Sequence, residues 1–208
     1  MIKQLNQYKK LQHPNLVHLL DFRQTGTADF EELLEHIYPI SPEEVSENLH
    51  TPAIFFRLFA QLLDGLSAIH KESNVHKDVH PGNILFEKTA AGLRVRIADF
   101  GLLTPFSAEG TSEGTPKYKL LTQGDFPIKD IYGAAITMGA LLLPNLDPTE
   151  CDSVAKLDPL IELAEYSPIA PQLNLIRKTL EYVEKEMGSP TEKDLSYLEI
   201  LELIKVSG

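Results

Sequence analysis

The sequence predicts a mixed α+β domain in which short strands come first and helices dominate the rest. Three observations carry that expectation. Pro52 to Lys71 places Ile54, Phe55, Leu58, Leu62, Leu66 and Ile69 on one face of a helix. Lys129 to Leu143 contains a long apolar stretch with two Gly that ends at Pro144, the pattern of a buried core helix. From Leu157 onward the pattern is again helical, whereas the strand-like runs lie before Tyr38 and between Lys71 and Leu103. A chain of 208 residues suffices for one compact domain, or for a large lobe with a small annex.

In order along the chain, Ile2, Leu5, Tyr8 and Leu11 recur every three residues and predict a short amphipathic helix. His13-Pro14-Asn15 stops it, because proline drives the preceding residue away from helical geometry. Leu16 to Phe22 reads as a strand and Gln24 to Ala28 as a turn. A second strand is expected around Phe30 to Tyr38, although Glu31 to His36 fits a helix equally well. After the Pro52–Lys71 helix comes a loop-rich stretch with two short strands, reaching Leu103. Ser107 to Gly114 is polar and reads as an exposed loop. Ser189-Pro190-Thr191-Glu192 gives a further helix start, with a capping box and proline in the first turn.

Composition narrows the partners. A net charge of −11 argues against a sequence-independent grip on nucleic acid, which needs clustered Lys and Arg, and against docking on an anionic membrane. Cys151 is the single cysteine, so no intramolecular disulfide forms and a reducing, cytoplasmic setting is expected. The seven His show no zinc-ligand spacing. Met1 to Gln12 lacks the apolar core of a secretory signal, and no apolar run is expected to reach the ~18 residues of a membrane span.

The chemistry concentrates in Val75-His76-Lys77-Asp78-Val79-His80-Pro81-Gly82-Asn83-Ile84-Leu85. Asp78 and Asn83 stand five residues apart on a tight loop between a long helix and an apolar strand. Such a loop can aim the carboxylate at a substrate hydroxyl and the amide oxygen at a metal ion. Asp99 follows sixteen residues after Asn83, in Ile97-Ala98-Asp99-Phe100-Gly101. A carboxylate there, after a β run and before glycine, suits a second ligand to Mg²⁺, which prefers oxygen donors shared with phosphate.

His76-Lys77-Asp78 with Asn83 resembles the catalytic loop of protein kinases, and Asp99-Phe100-Gly101 resembles their metal-binding motif. Gly114-Thr115-Pro116-Lys117-Tyr118 is similar to the substrate-side end of a kinase activation segment. Asp130-Ile131-Tyr132-Gly133 is similar to the start of the buried central helix, and His13-Pro14-Asn15-Leu16-Val17 to the turn after the regulatory helix. All five matches occur in kinase order. The resemblance implies a kinase-like fold with an N-lobe remnant at 1–38 and a mostly helical C-lobe at 39–208. It implies a catalytic set of Asp78, His80 and Thr115, with ATP held by Leu85, Asn83 and Asp99, and Mg²⁺ held by Asn83 and Asp99. Thr115 beside Asp78 implies a Ser/Thr acceptor. Tyr8, Leu19, His76 and Phe100 fall where the family stacks an apolar spine, with Asp130 beneath it.

The departures from the family are consistent with one another. The Gly-rich loop and the strand Lys that cover ATP in kinases precede the regulatory helix. The resemblance starts inside that helix, so a minimal or N-terminally truncated member is expected. The acid that pairs with that Lys aligns with Gln4. After Tyr118 the family has Ala-Pro-Glu, where this chain has Lys119-Leu120-Leu121, and the Arg that pairs with that Glu is not evident between Gly188 and Leu195. Losing both ends of a buried ion pair is tolerable, whereas losing one costs ~3–5 kcal/mol. Lys77 replaces the usual Arg and cannot make a bidentate fork to phosphate, which weakens the case for control by activation-segment phosphorylation. His80-Pro81-Gly82 resembles kinase-like enzymes acting on small molecules. Expected partners are therefore a protein substrate, or a kinase that supplies or accepts an N-lobe. A catalytically impaired pseudokinase acting as a decoy and a small-molecule kinase are the alternatives.

Overall fold

The structure, a computed structural model, describes residues 2–26, 30–107, 109, 113–121, 124, 126–164, 167–187, 202 and 204. The helix start at Ser189 to Glu192 and the stretch from Gly188 to Leu195 lie outside them, as does half of the Ser107–Gly114 loop.

Helix α1 (Ile2–Lys10) is followed by an antiparallel pair, β1 (Leu19–Gln24) and β2 (Phe30–Leu34), in which Phe22 faces Glu32 and Arg23 faces Glu31. The strand begins at Leu19 rather than Leu16, because the apolar run divides between two partners. Val17 N–H donates to Ile97 O at 2.8 Å and Ile97 N–H to Asn15 O at 2.8 Å, tying residues 15–17 to a strand far along the chain. The second strand ends at Leu34, short of Tyr38. Pairing with β1 decides against the helical alternative for Glu31 to His36, and Ile40 N–H is already committed to Phe86 O at 2.8 Å.

A helix absent from the sequence reading, α2 (Pro42–Leu49), comes next and buries Val45 and Leu49. Its signal was local: Ser41 Oγ accepts the Glu44 N–H at 3.2 Å and Pro42 opens the first turn, the pattern of an N-cap with proline at N1.

Helix α3 (Pro52–Lys71) has the predicted bounds and forms the axis of the core, with Phe55, Phe59, Leu62 and Leu66 fully buried. Each such side chain contributes about 1.5–3 kcal/mol by leaving water. By length and composition α3 is apolar enough to cross a membrane, contrary to the sequence expectation; Arg57, Gln61 and Asp64 interrupt the apolar stretch without bringing it below that level. Gly65 lets α3 approach the 15–17 turn: a Cβ there would lie 2.8 Å from Ile97 Cδ1 and 3.1 Å from Asn15 O. Gln61 Oε1 accepts Val95 N–H at 2.9 Å, and the Asn15 amide donates to Val95 O at 2.9 Å.

Two short strands, β3 (Asn74–Val75) and β6 (Thr104–Pro105), pair antiparallel, and between them lies the hairpin of β4 (Ile84–Thr89) and β5 (Gly92–Ile97). Helix α4 (Pro127–Leu142) starts two residues before the predicted Lys129, with proline in its first turn, and is buried on nearly every side. Helices α5 (Val154–Leu163) and α6 (Ala170–Glu186) extend the helical layer, and α6 packs along both α4 and α5. The arrangement is α+β, with a mostly helical lobe behind a small N-terminal strand pair.

Candidate active site

The loop from His76 to Asn83 is held from beneath by Asp130 of α4, whose side chain is fully buried. Asp130 Oδ2 accepts the His76 N–H at 2.7 Å and lies 2.7 Å from His70 Nε2, while Oδ1 accepts the Lys77 N–H at 2.8 Å. Burial alone would raise the Asp130 carboxyl. The hydrogen bond and charge of His70, aided by His76, carry it below its ordinary value instead. This anchoring holds Lys77 at φ +69°, in the left-handed region that side-chain-bearing residues avoid. Asp130 therefore fixes the turn that presents the next residue, Asp78.

Both Asp78 carboxyl oxygens are engaged. Oδ1 accepts the Thr115 N–H at 2.8 Å and the Thr115 hydroxyl at 2.7 Å. The Asn83 amide donates to Asp78 O at 3.0 Å and to Oδ2 at 3.3 Å, so it is the amide nitrogen and not the oxygen that is spent on Asp78. His80 Nδ1 accepts the Gly82 N–H at 3.1 Å, and its Nε2 stands 3.5 Å from Asp78 Oδ2. With Nδ1 used as an acceptor, a neutral ring carries its proton on Nε2, the nitrogen nearer the Asp78 carboxylate. The structure thus brings Asp78, His80, Asn83 and Thr115 into one cluster.

Asp99 follows β5 at the same open end of the hairpin as Asn83, exposed, at φ +57°, with Oδ1 accepting the Gly101 N–H at 3.1 Å. Ala98 N–H donates to Asn83 O at 2.8 Å, so the backbone joins the Asn83 and Asp99 segments directly. Leu85 is half-buried on β4 opposite Arg96. Among the described residues no group of three or more His, Cys, Asp or Glu forms a self-sufficient metal cage. An amide oxygen from Asn83 and a carboxylate from Asp99 fit Mg²⁺, which keeps several waters and binds through one or two protein oxygens plus phosphate.

Above the loop, Tyr8 stacks on Phe100 with ring centroids 3.9 Å apart, and His76 meets Phe100 edge-on at 5.3 Å. Tyr8 donates its hydroxyl to Val17 O at 2.7 Å, and Leu19 is buried nearby in the same core. Burial, reinforced by the carboxylates of Glu32, Asp99 and Glu35, pushes the Tyr8 phenol well up.

Several residues of the site were not marked in the sequence. Arg96, only 4% exposed, pairs with Glu35 at the end of β2 and with Glu87 at 3.5 Å. Glu32 faces the same space as Asp99, and burial together with that carboxylate pushes its own carboxyl up. Lys77 Nζ lies 2.8 Å from Glu113 Oε2. The two partners in the first and last of these contacts are 61 and 36 residues apart, so no local pattern could have revealed them.

A buried aspartate under a catalytic-type loop, an Asp–Asn pair on that loop and an Asp-Phe-Gly turn stacked on the first helix together define a kinase-type lobe. Residues 1–143 match the protein kinase domain family, and the chain belongs to that family. It is similar to the serine/threonine-protein kinase stk11 of Xenopus laevis, with 31% identity over 202 residues that cover 86% of this chain and 45% of that protein. It is also similar to human serine/threonine-protein kinase STK11, at 28% over 203 residues, with the same coverage of both chains. A bacterial relative, serine/threonine-protein kinase pkn2 of Myxococcus xanthus, is 31% identical over 121 residues, or 52% of this chain and 14% of the relative. The chain spans less than half the length of each of these relatives.

Proposed function

We propose that this chain forms the catalytic lobe of a phosphotransferase that moves the γ-phosphoryl group of Mg·ATP to a Ser or Thr hydroxyl of a protein. The observation that carries the proposal is the Thr115 hydroxyl, which donates to Asp78 Oδ1 at 2.7 Å. A Ser or Thr hydroxyl brought to this carboxylate would meet the same acceptor at hydrogen-bonding distance, as a general base or steering group requires. The names of the relatives, all serine/threonine-protein kinases, support the same acceptor class.

Bound Mg·ATP supplies the phosphoryl group and neutralises the charge that develops on it. The residues of this chain orient and hold. Asp78 aligns the acceptor hydroxyl and takes its proton. His80 Nε2–H steadies the Asp78 carboxylate from the side opposite Thr115 and stays within reach of an acceptor or phosphate oxygen. Asn83 and Asp99 are the residues that would hold Mg²⁺, and Leu85 would lie against the nucleotide base. Thr115 positions Asp78 and the entering segment. A cytoplasmic setting agrees with a single thiol, Cys151, that is buried and pushed up to about 11, chiefly by that burial.

The test is label transfer from γ-labelled ATP to a library of Ser- and Thr-containing peptides. Asp78→Asn should lower the rate by about 10²–10⁴-fold, the usual contribution of a general base. Equal labelling by both proteins would sink the assignment, and label on small hydroxyl compounds alone would shift the acceptor class.

A second reading, a regulator that binds another kinase, is favoured by the β1–β2 pair. Leu20, Leu33 and Leu34 are 52%, 59% and 39% exposed there, a surface able to receive a partner that completes the lobe or is blocked by it. Under this reading Asp78→Asn keeps the biological effect, and Leu33→Asp removes it.

A further inference from the structure

Three histidines of the chain make the same local hydrogen bond. His13 Nδ1 accepts the Asn15 N–H at 3.2 Å, His76 Nδ1 the Asp78 N–H at 3.3 Å and His80 Nδ1 the Gly82 N–H at 3.1 Å. In each, the far nitrogen Nε2 faces an oxygen: Asp64 Oδ2 at 3.4 Å, Ala98 O at 3.0 Å and Asp78 Oδ2 at 3.5 Å. A ring nitrogen that accepts a backbone N–H carries no proton itself, so this bond selects the Nε2–H tautomer of a neutral imidazole. His80 differs from the other two in its donor, which is a glycine, and in facing the carboxylate of Asp78.

His80 is the N-cap of the short 3₁₀ turn Pro81–Asn83, a place where Ser, Thr, Asp or Asn is the usual choice. Those side chains would satisfy the same N–H and end there. An imidazole caps with Nδ1 and still presents Nε2 on its far side. To do so the ring folds back over the turn, directly against Gly82. A Cβ at position 82 would stand 2.8 Å from His80 Cε1 and 3.2 Å from Nδ1. The turn itself is tied down, with Asn83 N–H donating to His80 O at 2.9 Å and the Asn83 amide to Asp78 O at 3.0 Å. A clash at position 82 therefore falls on the ring, which turns about single bonds, rather than on the backbone.

We infer that Gly82 is a positioning residue: lacking a Cβ, it leaves the room in which the His80 ring caps the 81–83 turn, and that cap aims Nε2 at the Asp78 carboxylate. The inference rests on the proposed function only in placing Asp78 and His80 at the reacting groups. The state of the ring is read without any activity, so the two can fail separately.

The measurement is ¹H–¹⁵N NMR of the imidazole nitrogens on the full chain at about pH 8, where an ordinary imidazole is neutral. His80 is assigned by its loss in His80→Gln. The wild type should show His13, His76 and His80 all with the proton on Nε2. Gly82→Ala should shift His80 alone to the averaged signals of a ring exchanging between both tautomers, with His13 and His76 as before. The inference is overturned if His80 keeps its wild-type signals in Gly82→Ala, if the wild-type ring holds its proton on Nδ1, or if all three rings change together. In label transfer, adding Gly82→Ala to His80→Ala should slow the reaction by less than about twofold further, because both act through one group. A second loss as large as that of Gly82→Ala alone would overturn it. A wild-type chain that transfers no label sinks the proposed function, and the ring signals then decide the inference by themselves.

Discussion

The catalytic loop and the β1–β2 pair are both short segments at the front of the molecule, yet they are held in opposite ways. The loop is fixed by donors and acceptors that the core buries. Asp130 binds two successive amides from below, Asn83 braces Asp78 from the side, and Ala98 N–H closes the link to the Asp99 turn. The strand pair has the reverse character. Its ion pair, Arg23 with Glu31, is 75% and 60% exposed, and Leu20 and Leu33 face solvent. The loop residues proposed for chemistry therefore stand where the fold leaves little freedom, and the surface proposed for a partner stands where it leaves much. Substitutions on the two sides should differ accordingly.

The largest effect is expected at Asp130. Asp130→Ala leaves two buried amides and His70 without their acceptor, and should destabilise by about 3–5 kcal/mol, read as a lower denaturant midpoint. A loss below ~1 kcal/mol would mean that the loop is not held from α4. The same group sets a pH dependence. Its carboxyl is lower in the folded chain than its ordinary 3.8, so it contributes stability that is complete above that value and is lost as pH falls toward the folded one. The stability gap between wild type and Asp130→Asn should accordingly be constant near neutrality and close on acidification. A gap that widened with acid would reverse the sign of the argument.

A middle-sized effect is expected where the two regions meet. Tyr8→Phe keeps the stacking on Phe100 but strips the donor from the buried Val17 carbonyl, a loss of about 1–2 kcal/mol by thermal or chemical unfolding. The smallest belongs to the strand pair. Arg23→Ala should change stability by less than ~0.5 kcal/mol, since exposed ion pairs contribute little. An Arg23→Ala loss as large as that of Tyr8→Phe would erase the contrast between the two regions.

The sequence showed most of what local pattern can show. The α3 face from Ile54 to Ile69 was legible because periodicity and a starting proline agreed, and its bounds were met residue for residue. The Asp78–Asn83 spacing and the Asp99 turn were legible because each is compact. Helix α2 was missed although Ser41 and Pro42 announced it, since eight residues with only two buried apolar side chains give a faint periodic signal. The split of the Leu16–Phe22 run was not readable, because Val17 bonds to Ile97, a partner 80 positions along the chain. Nor could Arg96–Glu35 or Lys77–Glu113 be paired in advance, since any of the many charges would have served by composition alone.

The most direct test of a nucleotide-binding site built on Asn83 and Asp99 is thermal unfolding with and without Mg·ATP, repeated on Asp99→Ala. At a ligand concentration 100-fold above its dissociation constant, binding adds ~2.7 kcal/mol, which in a chain of this size raises the midpoint by roughly 5–10 °C. The account predicts that rise in the wild type, its dependence on Mg²⁺ and its absence in Asp99→Ala. An equal rise in both proteins, or none in either, would contradict it.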